Sequence, residues 1–113
     1  MKIQQQISDF TELIQSSSTL PLLVFFYSPV CGPSRLTNLA LEVVEEQMQQ
    51  QLQIIKIDSE IYSDLANYYQ VHPLPALLLF KNGQLIGRIE DEHMENLLPA
   101  EQLVQHLKML LQK

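Results

Sequence analysis

The one sulfur nucleophile of this chain stands in Val30-Cys31-Gly32-Pro33-Ser34-Arg35, just after an apolar run ending at Tyr27 and a break at Ser28-Pro29. Proline suits the first turn of a helix, where its missing N–H has no partner to lose. Cys31 is therefore expected at the mouth of a helix. The unpaired N–H groups and the helix dipole there favour negative charge and lower a thiol pKa. A thiolate so placed attacks a disulfide sulfur and forms a mixed disulfide. Completing the exchange takes a second thiol. Ser34 offers only a hydroxyl, which neither ionises near neutral pH nor bonds stably to sulfur, so the second thiol must come from outside: from glutathione or from the substrate itself. The Ser34 hydroxyl is expected to donate a hydrogen bond to the thiolate, with Arg35 adding opposite charge. An acidic rim of Glu90, Asp91 and Glu92, expected to approach from the end of the last hairpin, opposes it. The alternative is an inert, buried lone cysteine.

Other chemistry is thin. His72, His93 and His106 are far apart, and although His93 lies among Asp91, Glu92 and Glu95, there is no second histidine at ligand spacing. Neither a metal nor any cofactor is expected. Tyr62, Tyr68 and Tyr69 form a candidate aromatic patch, of which one or two should pack on the core. The chain of 113 residues carries 13 acidic and 7 basic side chains, net −6. With no cationic run, nucleic acid is excluded as a partner. The acidic rim favours basic partner segments and repels acidic ones. No apolar run approaches the roughly 20 residues of a membrane helix. Met1–Gln6 lacks the apolar core of a signal peptide, and a lone cysteine needs no oxidising compartment. The expectation is a cytoplasmic monomer of one domain, residues 1–113, acting on protein thiols or disulfides, with glutathione as the small-molecule thiol.

The positioning elements follow from pattern. Lys2–Ile7 reads as a short edge strand. Ser8 or Asp9 caps a helix to about Ser16, with Phe10, Leu13 and Ile14 inward. Leu22–Tyr27, apolar throughout, reads as a central strand buried on both faces. A long helix from about Ser34 to Gln50 places Leu36, Leu39, Ala40, Val43, Val44 and Met48 on its apolar face. Leu52–Ile57 is a second strand, and Ile61–Tyr69 a helix facing inward through Leu65, Ala66 and Tyr69. Ala76–Phe80 is a third strand, joined by the hairpin signal Asn82-Gly83 to Leu85–Ile89. A last helix from Pro99 or Ala100 uses Leu103, Val104, Leu107, Leu110 and Leu111. Strands separated by helices, with one final hairpin, give an α/β fold: a central mixed β-sheet flanked by helices on both faces.

Three segments in order, Phe26–Arg35, Val71-His72-Pro73-Leu74-Pro75-Ala76 and Leu77–Gly83, resemble the thioredoxin family over most of the chain, from about Ile7 to the end. The resemblance implies a thioredoxin-like fold and a redox-active centre. By position Cys31 matches the attacking thiol, and Pro75 the cis-proline against which a substrate peptide lies. Val30, Gly32, Pro33, Leu74 and Tyr27 then border the substrate groove, with Asp91 where a glycine normally closes it. Ser34 stands where the resolving cysteine would be, and Phe25 where thioredoxins keep a buried aspartate. Val30 and Tyr27 replace the two tryptophans flanking the family's site. An unneeded buried carboxylate is costly, so an apolar Phe25 beside Ser34 argues for a native monothiol centre. The expected activity is exchange through one cysteine, with dithiol reductase activity weak or absent. Two alternatives stand beside it: a redox-inactive binding module on the same fold, and a dithiol thioredoxin whose second cysteine was replaced by serine as a trap. Glutaredoxins with Cys-Gly-Phe-Ser, another monothiol group, hold iron–sulfur clusters with glutathione, but the Cys-Gly-Pro turn and Asn-Gly hairpin here look like thioredoxin.

Overall fold

The computed structural model describes residues 3–30, 32–71, 74–90 and 99–112, and for residues 3–8 the backbone alone. Its helices are α1 (Ile3–Gln15), α2 (Gly32–Met48), α3 (Ser63–Tyr68) and α4 (Ala100–Leu111). Its strands are β1 (Leu22–Tyr27), β2 (Gln53–Asp58), β3 (Ala76–Lys81) and β4 (Gln84–Glu90), in spatial order β2-β1-β3-β4. β1 pairs in parallel with β2 and antiparallel with β3, which pairs antiparallel with β4. The sheet is therefore mixed. β1 and β3 occupy its centre and are buried over nearly their whole length, as their unbroken apolar sequences require.

Each face of the sheet carries its own core. Leu22, Val24 and Phe26 of β1 point to one side, where Phe10 and Ile14 of α1 and Leu65 and Ala66 of α3 cover them. Leu23 and Phe25 point to the other, under Leu41, Val44 and Met48 of α2 and Leu103, Val104 and Leu107 of α4. This is the period-2 alternation of a strand, apolar on both faces. The β3–β4 turn uses Asn82 at φ 54° and Gly83 at φ 78°, the left-handed pair of a tight hairpin. Ser17 anchors it: its Oγ accepts the Gly83 N–H at 2.7 Å and its carbonyl the Asn82 N–H at 3.1 Å. Gly87 on β4 lets α4 approach, since a Cβ there would lie 2.7 Å from Leu110 Cδ1.

Sequence expectations are corrected at three places, of which the simplest is Leu13, expected inward and 40% exposed. The N-terminal segment is not an edge strand; α1 already runs from Ile3. Glutamine is a good helix former, and Ile3, Ile7, Phe10 and Ile14 recur at helical spacing, a pattern that outweighs the β-branched isoleucines. Helix α2 also begins earlier than Ser34, and its inner face is only partly the expected one: Val44 and Met48 are buried and Ala40 packs against them, but the face is shifted at its start. Its buried positions are Ser34, Thr37, Leu41, Val44 and Met48, spaced alternately three and four residues apart, while Leu36 and Leu39 are exposed. Two polar residues hold the first places of the inner stripe, which displaces any face drawn from hydrophobicity alone.

Candidate active site

Sheet register determines what meets at the end of β1. Phe26 pairs with Ala76, the first residue of β3, and Tyr27 with Asp58, the last of β2. Ala76 also pairs with Glu90, the last of β4. The turn into α2, the end of β2, the Leu74–Pro75 segment and the end of β4 therefore share one edge of the sheet. Ligand sites of α/β folds favour such carboxyl ends of strands.

Cys31 and Asp91 lie outside the described residues, as do His72, Pro73 and His93. The remaining sequence-predicted residues gather at that edge. Val30 is 83% exposed, the most open large apolar side chain among the described residues. Gly32 opens α2 and is exposed, and Pro33 is half-buried in the first turn. Ser34 is buried, and its Oγ accepts the backbone N–H of Ser28 at 3.2 Å. That bond closes the turn between β1 and α2 and satisfies a buried amide. Tyr27 is half-buried and stacks on the fully buried Phe25, ring centroids 5.4 Å apart. Leu74 is half-buried and packs on the α1–α3 side. Pro75 is buried, and the Leu74–Pro75 peptide is cis.

Several contributors were not legible in the sequence. Arg88 of β4 donates from Nη1 to the Tyr69 carbonyl at 2.8 Å and from Nη2 to the Gln70 carbonyl at 3.2 Å, and it pairs with Glu90. It thus holds the residues that lead into the Leu74–Pro75 segment, and it matches one acid of the expected acidic rim with a cation. Ser28 Oγ donates to Glu60 Oε1 at 3.4 Å, tying the turn to the segment after β2. Beside the turn lies a cavity of about 430 Å³, lined among others by Phe25, Tyr27, Ser34, Arg35, Asn38 and Lys56. Apart from Arg88–Glu90, these pairings join residues distant in sequence, so no local motif announces them.

Of the three tyrosines proposed as a patch, Tyr62 and Tyr69 pack on the core and Tyr68 is exposed. Burial, with Tyr68 beside it, raises the pKa of Tyr69 above the usual tyrosine value. Among the described residues no cluster of three His, Cys, Asp or Glu side chains is placed to hold a metal, and no helix is long and apolar enough to cross a membrane.

The thioredoxin family model matches residues 2–109. The chain belongs to the thioredoxin family. It is 38% identical over 111 residues to a thioredoxin-like protein of Synechocystis sp., covering 98% of this chain and all of that one. It is 40% identical to the chloroplastic thioredoxin Y2 of Arabidopsis thaliana, covering 96% of this chain and 62% of that protein. The chain thus spans about three fifths of the length of this plant thioredoxin. The thioredoxin fold is confirmed by the oxidised mitochondrial thioredoxin 3 of Saccharomyces cerevisiae, with a TM-score of 0.76, 25% identity, and coverage of 91% of this chain and 89% of that one. A second solved chain, from work on thiol resolution in a yeast mitochondrial 1-Cys peroxiredoxin through glutathione and thioredoxin systems, has a TM-score of 0.75 at 26% identity, covering 90% of this chain and 88% of that one.

Proposed function

We propose that this thioredoxin-family protein carries out thiol–disulfide exchange through one cysteine. Cys31 attacks a disulfide, a mixed disulfide forms, and an external thiol releases the partner. The observation that carries the reading is the packing around Ser34. Its hydroxyl is buried and engaged by the Ser28 amide at 3.2 Å, and it lines one cavity with Phe25, which is 1% exposed. The turn closes on a hydroxyl, and among the described residues lining that cavity there is an apolar Phe25 and no acid to serve a second thiol. That favours a native monothiol centre over a dithiol centre disabled by substitution. Pro75, Val30, Gly32, Pro33, Leu74, Tyr27 and Asp91 form the surface presented to a protein partner. The setting is the cytoplasm, acting as a monomer in redox homeostasis.

A second reading, a binding module without redox work, draws on the exposed Val30 (83%) and Ile61 (67%) near the same sheet end. Insulin-disulfide reduction separates the readings. The monothiol reading expects turnover only when glutathione is supplied, loss of that turnover in Cys31→Ala, and weak glutathione-free activity even in Ser34→Cys. Strong dithiol activity on restoring Ser34→Cys supports the disabled-dithiol alternative. Turnover that survives Cys31→Ala overturns the proposal.

A further inference from the structure

The cavity beside the first turn of α2 combines cations, hydroxyls and aromatic rings. The chain is net negative, with only 7 lysines and arginines, yet two of these, Arg35 and Lys56, line this one space, and among the described residues that line it none is acidic. Asn38 and the Ser28 and Ser34 hydroxyls add polar groups, and Phe25 and Tyr27 add an aromatic wall. A volume of about 430 Å³ is within the range of small-molecule sites. Lys56 pairs with Glu45 at 3.6 Å, both side chains substantially exposed, a pairing that costs little to exchange for a ligand carboxylate.

We propose that this cavity seats the anionic end of the small thiol that regenerates Cys31, its carboxylates on Arg35 and Lys56. The inference rests on the monothiol reading and names its co-substrate class: a low-mass thiol bearing carboxylates. Ser34 lines the cavity and follows Cys31 by three residues, so a thiol held here enters beside the position from which a neighbouring cysteine would act. The steps balance. The incoming thiolate attacks the Cys31 sulfur of the mixed disulfide, a new S–S bond forms to the small thiol, and the partner leaves as a thiolate. A second molecule of the small thiol attacks the sulfur of the first and restores the Cys31 thiolate. Two small thiols are oxidised to their disulfide, and the partner's disulfide is reduced by two electrons.

S-methylglutathione, which keeps the carboxylates and has no free thiol, tests the cavity without any exchange. Titrated into the whole protein and followed by amide chemical shifts, it should give saturable shifts at Arg35, Asn38 and Lys56. Lys56→Gln should weaken it roughly five- to tenfold, the scale of one charge-assisted contact. No saturable shift, or shifts confined to other residues, overturns the inference. A second arm takes the preformed Cys31 mixed disulfide and compares its release by glutathione with its release by uncharged 2-mercaptoethanol. The rate ratio should fall several-fold in Lys56→Gln and at high salt. An unchanged ratio overturns the inference. If Cys31 forms no mixed disulfide at all, the exchange reading fails by itself, and the thiol-free titration still decides whether the cavity takes a carboxylate ligand.

Discussion

The two faces of the sheet are filled with different materials. On the α1–α3 side, Phe10 meets Phe26, Tyr69 and Phe80 with ring centroids 6.4, 5.2 and 5.9 Å apart, the latter two edge-on. On the α2–α4 side the buried residues are mostly aliphatic, and the one aromatic stack, Phe25 on Tyr27, borders the cavity next to Ser34. One face interlocks through its rings; the other opens on a cavity at the end that carries the turn into α2. The difference assigns separate work to them. Edge-to-face rings supply stability beyond their buried area, while the open end offers space and polar groups to the proposed exchange chemistry.

Breaking the aromatic face should have the largest effect. Phe10 is 2% exposed, and Phe10→Ala should cost about 3–5 kcal/mol, read as a fall in the urea midpoint at constant slope. A loss under about 1 kcal/mol would show that the aromatic face is not the stronger of the two. Ser34→Ala on the other face should cost less, about 1–2 kcal/mol, because it orphans one buried amide beside a cavity that water can enter. A loss matching that of Phe10→Ala would erase the distinction between the faces.

The smallest effect concerns alkaline pH. A tyrosine whose pKa is raised by folding holds its proton more tightly in the native state. That contribution is complete below the unfolded value of 10.0 and is lost as pH rises through the folded value. Wild type should lose more stability than Tyr69→Phe when the pH is taken past 10.0. Parallel losses in the two proteins would place Tyr69 outside the protected face.

Much of this arrangement could be read from residue order. Leu22–Tyr27 was legible as a central strand and Ala76–Phe80 as a strand because burial on both faces suits such apolar runs, and Asn82-Gly83 marked the hairpin because few residues accept positive φ. The inward face of α2 was misread because Ser34 and Thr37 hold core positions for reasons of hydrogen bonding and fit, while Leu36 and Leu39 stay in solvent. The N-terminal segment was misread because two isoleucines among glutamines satisfy a strand pattern and a helix pattern alike. At the site, Ser34, Tyr27 and Pro75 could be placed by motif. Lys56, Asn38 and Arg88 could not, since each reaches the site region from a position that only the sheet register and helix docking define.

The central claim is that one sulfur in this turn enters exchange by itself. Intact-mass spectrometry after incubation with oxidised glutathione tests it most directly. The expected result is a single glutathione adduct, mapped to Cys31 and formed faster than on an unstructured cysteine peptide. No adduct, or one that accumulates only at the peptide's rate, would contradict the account.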